Sequence, residues 1–172
     1  MSPKTGRRAL LTMLASAGVA AVAYRFGPKL YNARRLRGLQ ARHPYDERVD
    51  GRATVAEALR TAARDGKSVL VILGGNWCQW CLALDELLDT DDEIRAFVAS
   101  HYVVVHLDSE AGAEQDAAWG RPTKNGVPVL VVLDGQGGIA HLTECLPLEL
   151  WGGRVLAYDR DLVLQALRRG AR

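Results

Sequence analysis

Three runs of mostly apolar residues mark the middle of the chain: SVLVIL at 68–73, YVVVHLD at 102–108 and VPVLVVLD at 127–134. Each has strand length and many β-branched residues, and none alternates strictly with polar positions. That pattern suits strands covered on both faces. Between the first two runs the spacing turns helical. GGN breaks the first run, a helix opens at Cys78 and continues to about Leu88, and EIRAFVASH follows with Asp91 or Asp92 as its cap. Upstream, TVAEALRTAARDG (54–66) places Val55, Ala58, Leu59 and Ala62 on one face, with Thr54 as a cap and Gly66 as a stop. Residues 109–126 form a polar connection with a helical turn near Ala113–Trp119. GQGG turns the third run back into IAHLTE (139–144), and Asp159 or Asp161 caps a last helix, LVLQALRRG. Two buried strands separated by helices imply a parallel pair joined by a crossover, and the hairpin adds an antiparallel edge. The expected fold is α/β, with a mixed central sheet flanked by helices.

The 172 residues suit one domain, and 48% hydrophobic content allows a core that needs no disulfide staples. Charge is uneven. Nine of the 22 Lys and Arg residues fall in residues 1–43, which hold no acid, so the rest carries 13 basic against 20 acidic residues. A net negative folded part repels phosphate, which excludes a nucleic-acid-binding domain. The basic start has its own organisation. Lys4, Arg7 and Arg8 precede an uncharged run from Ala9 to Tyr24 that ends in AVA at 21–23. This is the layout of an export signal, and Arg7-Arg8 resembles a twin-arginine signal. The basic flank from Arg25 to Arg42 favours the opposite topology. The expectation is a signal peptide or membrane anchor over residues 1–24, a linker from residue 25 with its basic part over 25–44, and a domain over 45–172. The chain is then exported, periplasmic or anchored in the inner membrane facing the periplasm, with a cytoplasmic location as the alternative.

The chemistry concentrates in NWCQWC at 76–81. Two cysteines at this spacing can form half of a zinc site, an inert disulfide or a redox pair. A structural zinc site takes four ligands, yet Cys145 is remote and His43, His101, His106 and His141 stand singly. A short disulfide loop gains little from chain entropy. Placement favours redox chemistry: Cys78 opens a helix, where free N–H groups and the macrodipole favour a thiolate, the species that attacks a disulfide. Cys81, one turn on and less exposed, can then resolve the mixed disulfide.

With its strand-to-helix setting, NWCQWC resembles the active site of the thioredoxin superfamily. NGVPVLVVLDGQG at 125–137 resembles that family's second landmark, a proline opening a strand before a hairpin. The resemblance runs from about Tyr45 to Arg169 and is nearest to exported or envelope members with a Trp-Cys-x-Trp-Cys site. It implies a thioredoxin-like fold, catalytic Cys78 and Cys81, and a cis Val127–Pro128 bond facing them whose backbone pairs with substrate. It also implies a protein-disulfide oxidoreductase that needs no bound cofactor or metal. Its partners would be protein thiol or disulfide substrates and a redox partner, and it would act as a monomer. Reductase, oxidase and isomerase directions all stay open, and a non-catalytic binding or chaperone module is the alternative. Trp77 is expected to shield the site and Trp80 to be an exposed docking surface; packing is the ordinary role for each. Cys145 is expected to be a buried small residue. Two departures stand out. Gln79-Trp80 replaces the Gly-Pro of thioredoxin proper, and Ile72 stands where thioredoxin has a buried acid. Glu86 and Asp108 are candidates for its proton-handling role, with solvated charges as the ordinary reading.

Overall fold

The computed structural model describes residues 33–150 and 156–171. The signal-like segment, with Arg7 and Arg8, lies outside the described residues. Residues 33–40 are helical (α1). There follow α2 (Gly51–Asp65), β1 (Ser68–Gly74), α3 (Gln79–Thr90), α4 (Asp92–His101), β2 (Tyr102–Asp108), α5 (Ala113–Ala118), β3 (Val129–Leu133), β4 (Ile139–Glu144) and α6 (Arg160–Gly170). The four strands form one mixed sheet in the order β2-β1-β3-β4. β1 runs parallel to β2 and antiparallel to β3, and β3 pairs with β4 through the expected hairpin.

Every residue of β1 and β3 is buried, because each face of these strands meets a helical layer. Val69, Val71 and Leu73 of β1 join Val129, Val131 and Leu133 of β3 and the apolar stripe Val55, Ala58 and Ala62 of α2. Leu70, Ile72, Leu130 and Val132 face the other way. They meet Leu82 and Leu84 of α3, Ile94 of α4 and Val163, Leu164 and Leu167 of α6. The period of two along each strand sorts its side chains into two cores, which is why its apolar run is continuous.

Local chemistry sets most element ends. Asp91 accepts from the Ile94 N–H to cap α4, and Asp159 accepts from the Asp161 and Leu162 N–H groups to cap α6. Gly66 ends α2 with φ of 68°, a conformation glycine adopts without strain. Two expectations need correction. Asp50, not Thr54, caps α2, accepting from Ala53 N–H, so the cap lies four residues earlier. The stretch expected as a linker contains α1, whose Leu39 is only 1% exposed and joins the core with α3 and α6. The basic residues there find acids across the fold. Arg35 bonds Glu86, and Arg42 bonds Asp85 at 2.9 Å and Asp89 at 2.8 Å, all on α3. No helix among the described residues is long and apolar enough to cross a membrane.

Candidate active site

β1 ends at Gly74, and the chain turns through Gly75, Asn76 and Trp77 into α3. Cys78 is the N-cap of that helix. Its backbone is extended, its N–H donates to Gly75 O at 3.1 Å, and its sulfur accepts from Cys81 N–H at 3.2 Å. A sulfur at a helix N-cap faces donor groups and the positive end of the macrodipole, which favours negative charge there. Cys81 lies in the first turn, and the two sulfurs are joined as a disulfide with the Cα atoms 5.2 Å apart. Cys78 is 8% exposed and Cys81 is 0% exposed. Of the pair, Cys78 is the less buried.

The Val127–Pro128 bond is cis, as the family resemblance implied. The Val127 carbonyl oxygen lies 3.8 Å from Cys78 Sγ, so the loop before β3 and the start of α3 meet at the disulfide. Beside Pro128 a cavity of about 40 Å³ is lined by Asn125, Gly126, Val127 and Cys145, among others. That is far below the roughly 300–1,000 Å³ of sites that enclose small molecules.

Trp80, expected to be exposed, is partly covered, and it is Trp77 that stands out from the surface. Trp77 is 66% exposed. Its indole lies over Gly75, where a methyl group would come within 2.5 Å of Nε1. Trp80 is half-buried. Its ring packs edge-on against Tyr158 at 5.3 Å, and the Tyr158 hydroxyl donates to its carbonyl oxygen at 3.3 Å. The apolar surface beside the disulfide is therefore offered by Trp77, while Trp80 closes the core.

Of the candidate acids, Glu86 is occupied by Arg35. Asp108 is buried at the end of β2 and accepts from the Glu110 and Ala111 N–H groups. Cys145 is 1% exposed, and its thiol is pushed up to about 12, mainly by burial and further by the nearby Glu149. It is a core residue, as expected. No group of His, Cys, Asp and Glu among the described residues could hold a metal ion.

Sequence reasoning missed Tyr45. It is 2% exposed, packs with Cys78 and Cys81, and touches the half-buried Trp80 and Val127. Asn76 ties it to the active-site turn: Tyr45 N–H donates to Asn76 Oδ1 at 3.2 Å, and Asn76 Nδ2 donates to Tyr45 O at 2.7 Å. Behind the ring, His106 stacks edge-on at 5.3 Å. His106 Nε2 is 3.0 Å from Asp85 Oδ1, an ion-pair distance, although it makes no hydrogen bond by angle. Burial raises the Asp85 pKa, but His106 and Arg42 outweigh burial and hold the carboxyl below its ordinary range.

Comparison with known proteins agrees with this geometry. The thioredoxin-like family model matches residues 50–135. The thiol:disulfide interchange protein DsbD of Ralstonia nicotianae is 30% identical over 125 residues, which are 72% of this chain and 19% of that protein. The chain thus spans about a fifth of that relative's length. The crystal structure of a disulphide isomerase from Xylella fastidiosa Temecula1 superposes with a TM-score of 0.54 at 35% identity, covering 59% of this chain and 79% of that one.

Proposed function

The chain belongs to the thioredoxin-like family, and on that premise we propose that it is a protein thiol–disulfide oxidoreductase acting through Cys78 and Cys81. The observation that carries this reading is the asymmetry of the pair. One cysteine caps the helix and keeps a small exposure, and the other is fully buried beneath it. A substrate thiolate attacks Cys78 Sγ, a new S–S bond forms, and the Cys78–Cys81 bond breaks with its electron pair passing to Cys81. A second substrate thiolate then attacks the substrate sulfur of the mixed disulfide and Cys78 departs as thiolate. Two electrons have moved to the protein and the substrate is oxidised; the reverse sequence reduces it. Trp77 supplies an apolar platform beside Cys78. The Val127–Pro128 segment offers backbone for an extended polypeptide, and the small cavity there suits a chain laid across the surface better than an enclosed small molecule. Trp80 holds the first turn of α3 in place through Tyr158.

The test is a disulfide-exchange assay with a protein substrate, on wild type and Cys78→Ser. The expected outcome is turnover in wild type that vanishes in the variant. Cys81→Ser should trap a mixed disulfide with the substrate on a non-reducing gel, absent from Cys78→Ser. Lack of turnover in both proteins would favour a non-catalytic binding module instead.

For location, the same proposal places the domain outside the cytoplasm, in the periplasm or anchored to the inner membrane facing it. Arg7-Arg8, the run from Ala9 and AVA at 21–23 support it. The domain of the wild type should be accessible to protease in spheroplasts, and Arg7→Lys/Arg8→Lys should leave it protected inside the cell. Protection of the wild-type domain would contradict export and leave a cytoplasm-facing domain on an N-terminal anchor.

A further inference from the structure

The Tyr45 hydroxyl is a buried polar group with no hydrogen-bond partner among the described residues. A buried hydroxyl without a partner carries a free-energy penalty, so its position asks for a reason. Its surroundings supply one. Beside Gly74, a single added methyl group would lie 2.5 Å from Tyr45 Oη and 2.8 Å from Cys81 Sγ. Hydroxyl and sulfur are therefore neighbours across a point that only a glycine leaves clear. While Cys81 is in a disulfide its sulfur is a poor acceptor. When the S–S bond opens, the same sulfur becomes an anion in a site closed to water.

On the oxidoreductase reading above, we propose that Tyr45 donates a hydrogen bond from its hydroxyl to Cys81 Sγ whenever the Cys78–Cys81 bond opens, stabilising the departing thiolate. The step moves no proton: the substrate sulfur bonds Cys78, the electron pair of the broken bond resides on Cys81, and Tyr45 O–H turns toward it. Groups facing the phenol keep it protonated. Burial chiefly, then the Asp85 charge on α3, Cys145 and the Asp108 charge at the end of β2 raise its pKa, so it serves as a donor and not a base. His106 of β2 packs against its ring, and Tyr158 is the other phenol in this electrostatic cluster. Neither the aspartate position of thioredoxin, here Ile72, nor Glu86 is needed for this role. The clamp from Asn76, two residues before Cys78, fixes the tyrosine to the same turn that presents the disulfide.

Tyr45→Phe removes only the hydroxyl. In full-length Cys78→Ser protein, the Cys81 thiol can be titrated through its Cβ carbon resonance, without reliance on turnover. Losing a donor to a thiolate should raise that pKa by about one unit, tenfold in ionisation. In protein that retains both cysteines, opening of the disulfide by glutathione should slow by less than tenfold, because the charge on Cys81 is only partly developed in the transition state. The oxidised Tyr45→Phe protein should melt no lower than wild type, since an unpartnered hydroxyl has been removed; a purely packing role predicts equal loss in both redox forms. Fluorotyrosine at position 45, a stronger donor, should move the Cys81 titration down. An unchanged or lowered Cys81 pKa in Tyr45→Phe overturns the assignment. Absence of exchange by the wild type overturns the oxidoreductase reading instead, and the titration still decides the role of Tyr45.

Discussion

Gly74→Ala should damage this protein far more than a single methyl group normally does. Gly74 is the last residue of β1, paired with Asp108 of β2, and its carbonyl accepts from Ser109 N–H at 2.8 Å. Alanine suits a strand backbone, so the cost is steric. The new Cβ would stand 2.5 Å from Tyr45 Oη, 2.8 Å from Cys81 Sγ and 2.9 Å from Tyr45 Cζ. These approaches fall roughly 1 Å short of the ~3.5–4.0 Å optimum for non-bonded carbon atoms. None of the three atoms is the tip of a flexible chain: the sulfur is tied in a disulfide and the phenol is wedged under the active-site turn. Overpacking of this kind costs about 1–3 kcal/mol. For a domain of this size that is a fall in melting temperature of about 2–12 °C. The control is Gly38→Ala, where nothing lies within 4 Å and the residue is on the exposed side of α1. There the same methyl should stabilise by about 0.5–1 kcal/mol, through helix propensity. The assay is thermal unfolding of the oxidised proteins followed by circular dichroism, with disulfide exchange measured alongside. A Gly74→Ala protein that melts at or above wild type would refute the claim that the tyrosine and the buried sulfur crowd this point.

Other substitutions test separate parts of the structure. Asp85 has a depressed folded-state pKa, so its contribution is present above the ordinary carboxylate value near ~3.9 and is lost as pH falls through the depressed value. Asp85→Asn should cost about 1–3 kcal/mol at neutral pH and flatten the acid limb of stability, read from melting temperature against pH; an acid limb as steep as wild type would contradict it. Trp77→Ala should leave stability within about 0.5 kcal/mol while slowing exchange with protein substrates, and Trp80→Ala should lower stability by about 3–5 kcal/mol. Equal melting temperatures for the two variants would show that their exposures have been misassigned. Cys145, buried and with its thiol raised to about 12, should resist alkylation in the reduced native protein and react only in denaturant, while Cys78 is labelled first near neutral pH; mass spectrometry of partly alkylated protein reads the order. Leu84→Ala should cost about 2–5 kcal/mol, because this side chain is fully buried between α3 and the sheet.

What the sequence determined by itself is what short stretches of chain encode. Continuous apolar runs of strand length, rich in β-branched residues, placed β1, β2 and β3. Gly66 and the aspartates at 91 or 92 and at 159 or 161 marked helix ends, because capping is a contact among residues a few positions apart. The disulfide pair at a strand-to-helix junction was equally local, and so was its asymmetry, since the first cysteine of such a turn caps the helix and the second is carried inward. The tertiary structure decided whatever depends on partners distant in the chain. The basic stretch around α1 read as a linker because its carboxylate partners, Asp85, Glu86 and Asp89, come some 40 to 50 residues later. Trp80 looked exposed until Tyr158, from the other end of the domain, covered it. Tyr45 carries no motif of its own. It gains meaning only when β1 ends in a glycine that brings a phenol hydroxyl beside a buried sulfur. A pattern along the chain tells which face a side chain takes, but the group waiting on that face is set by how the layers close.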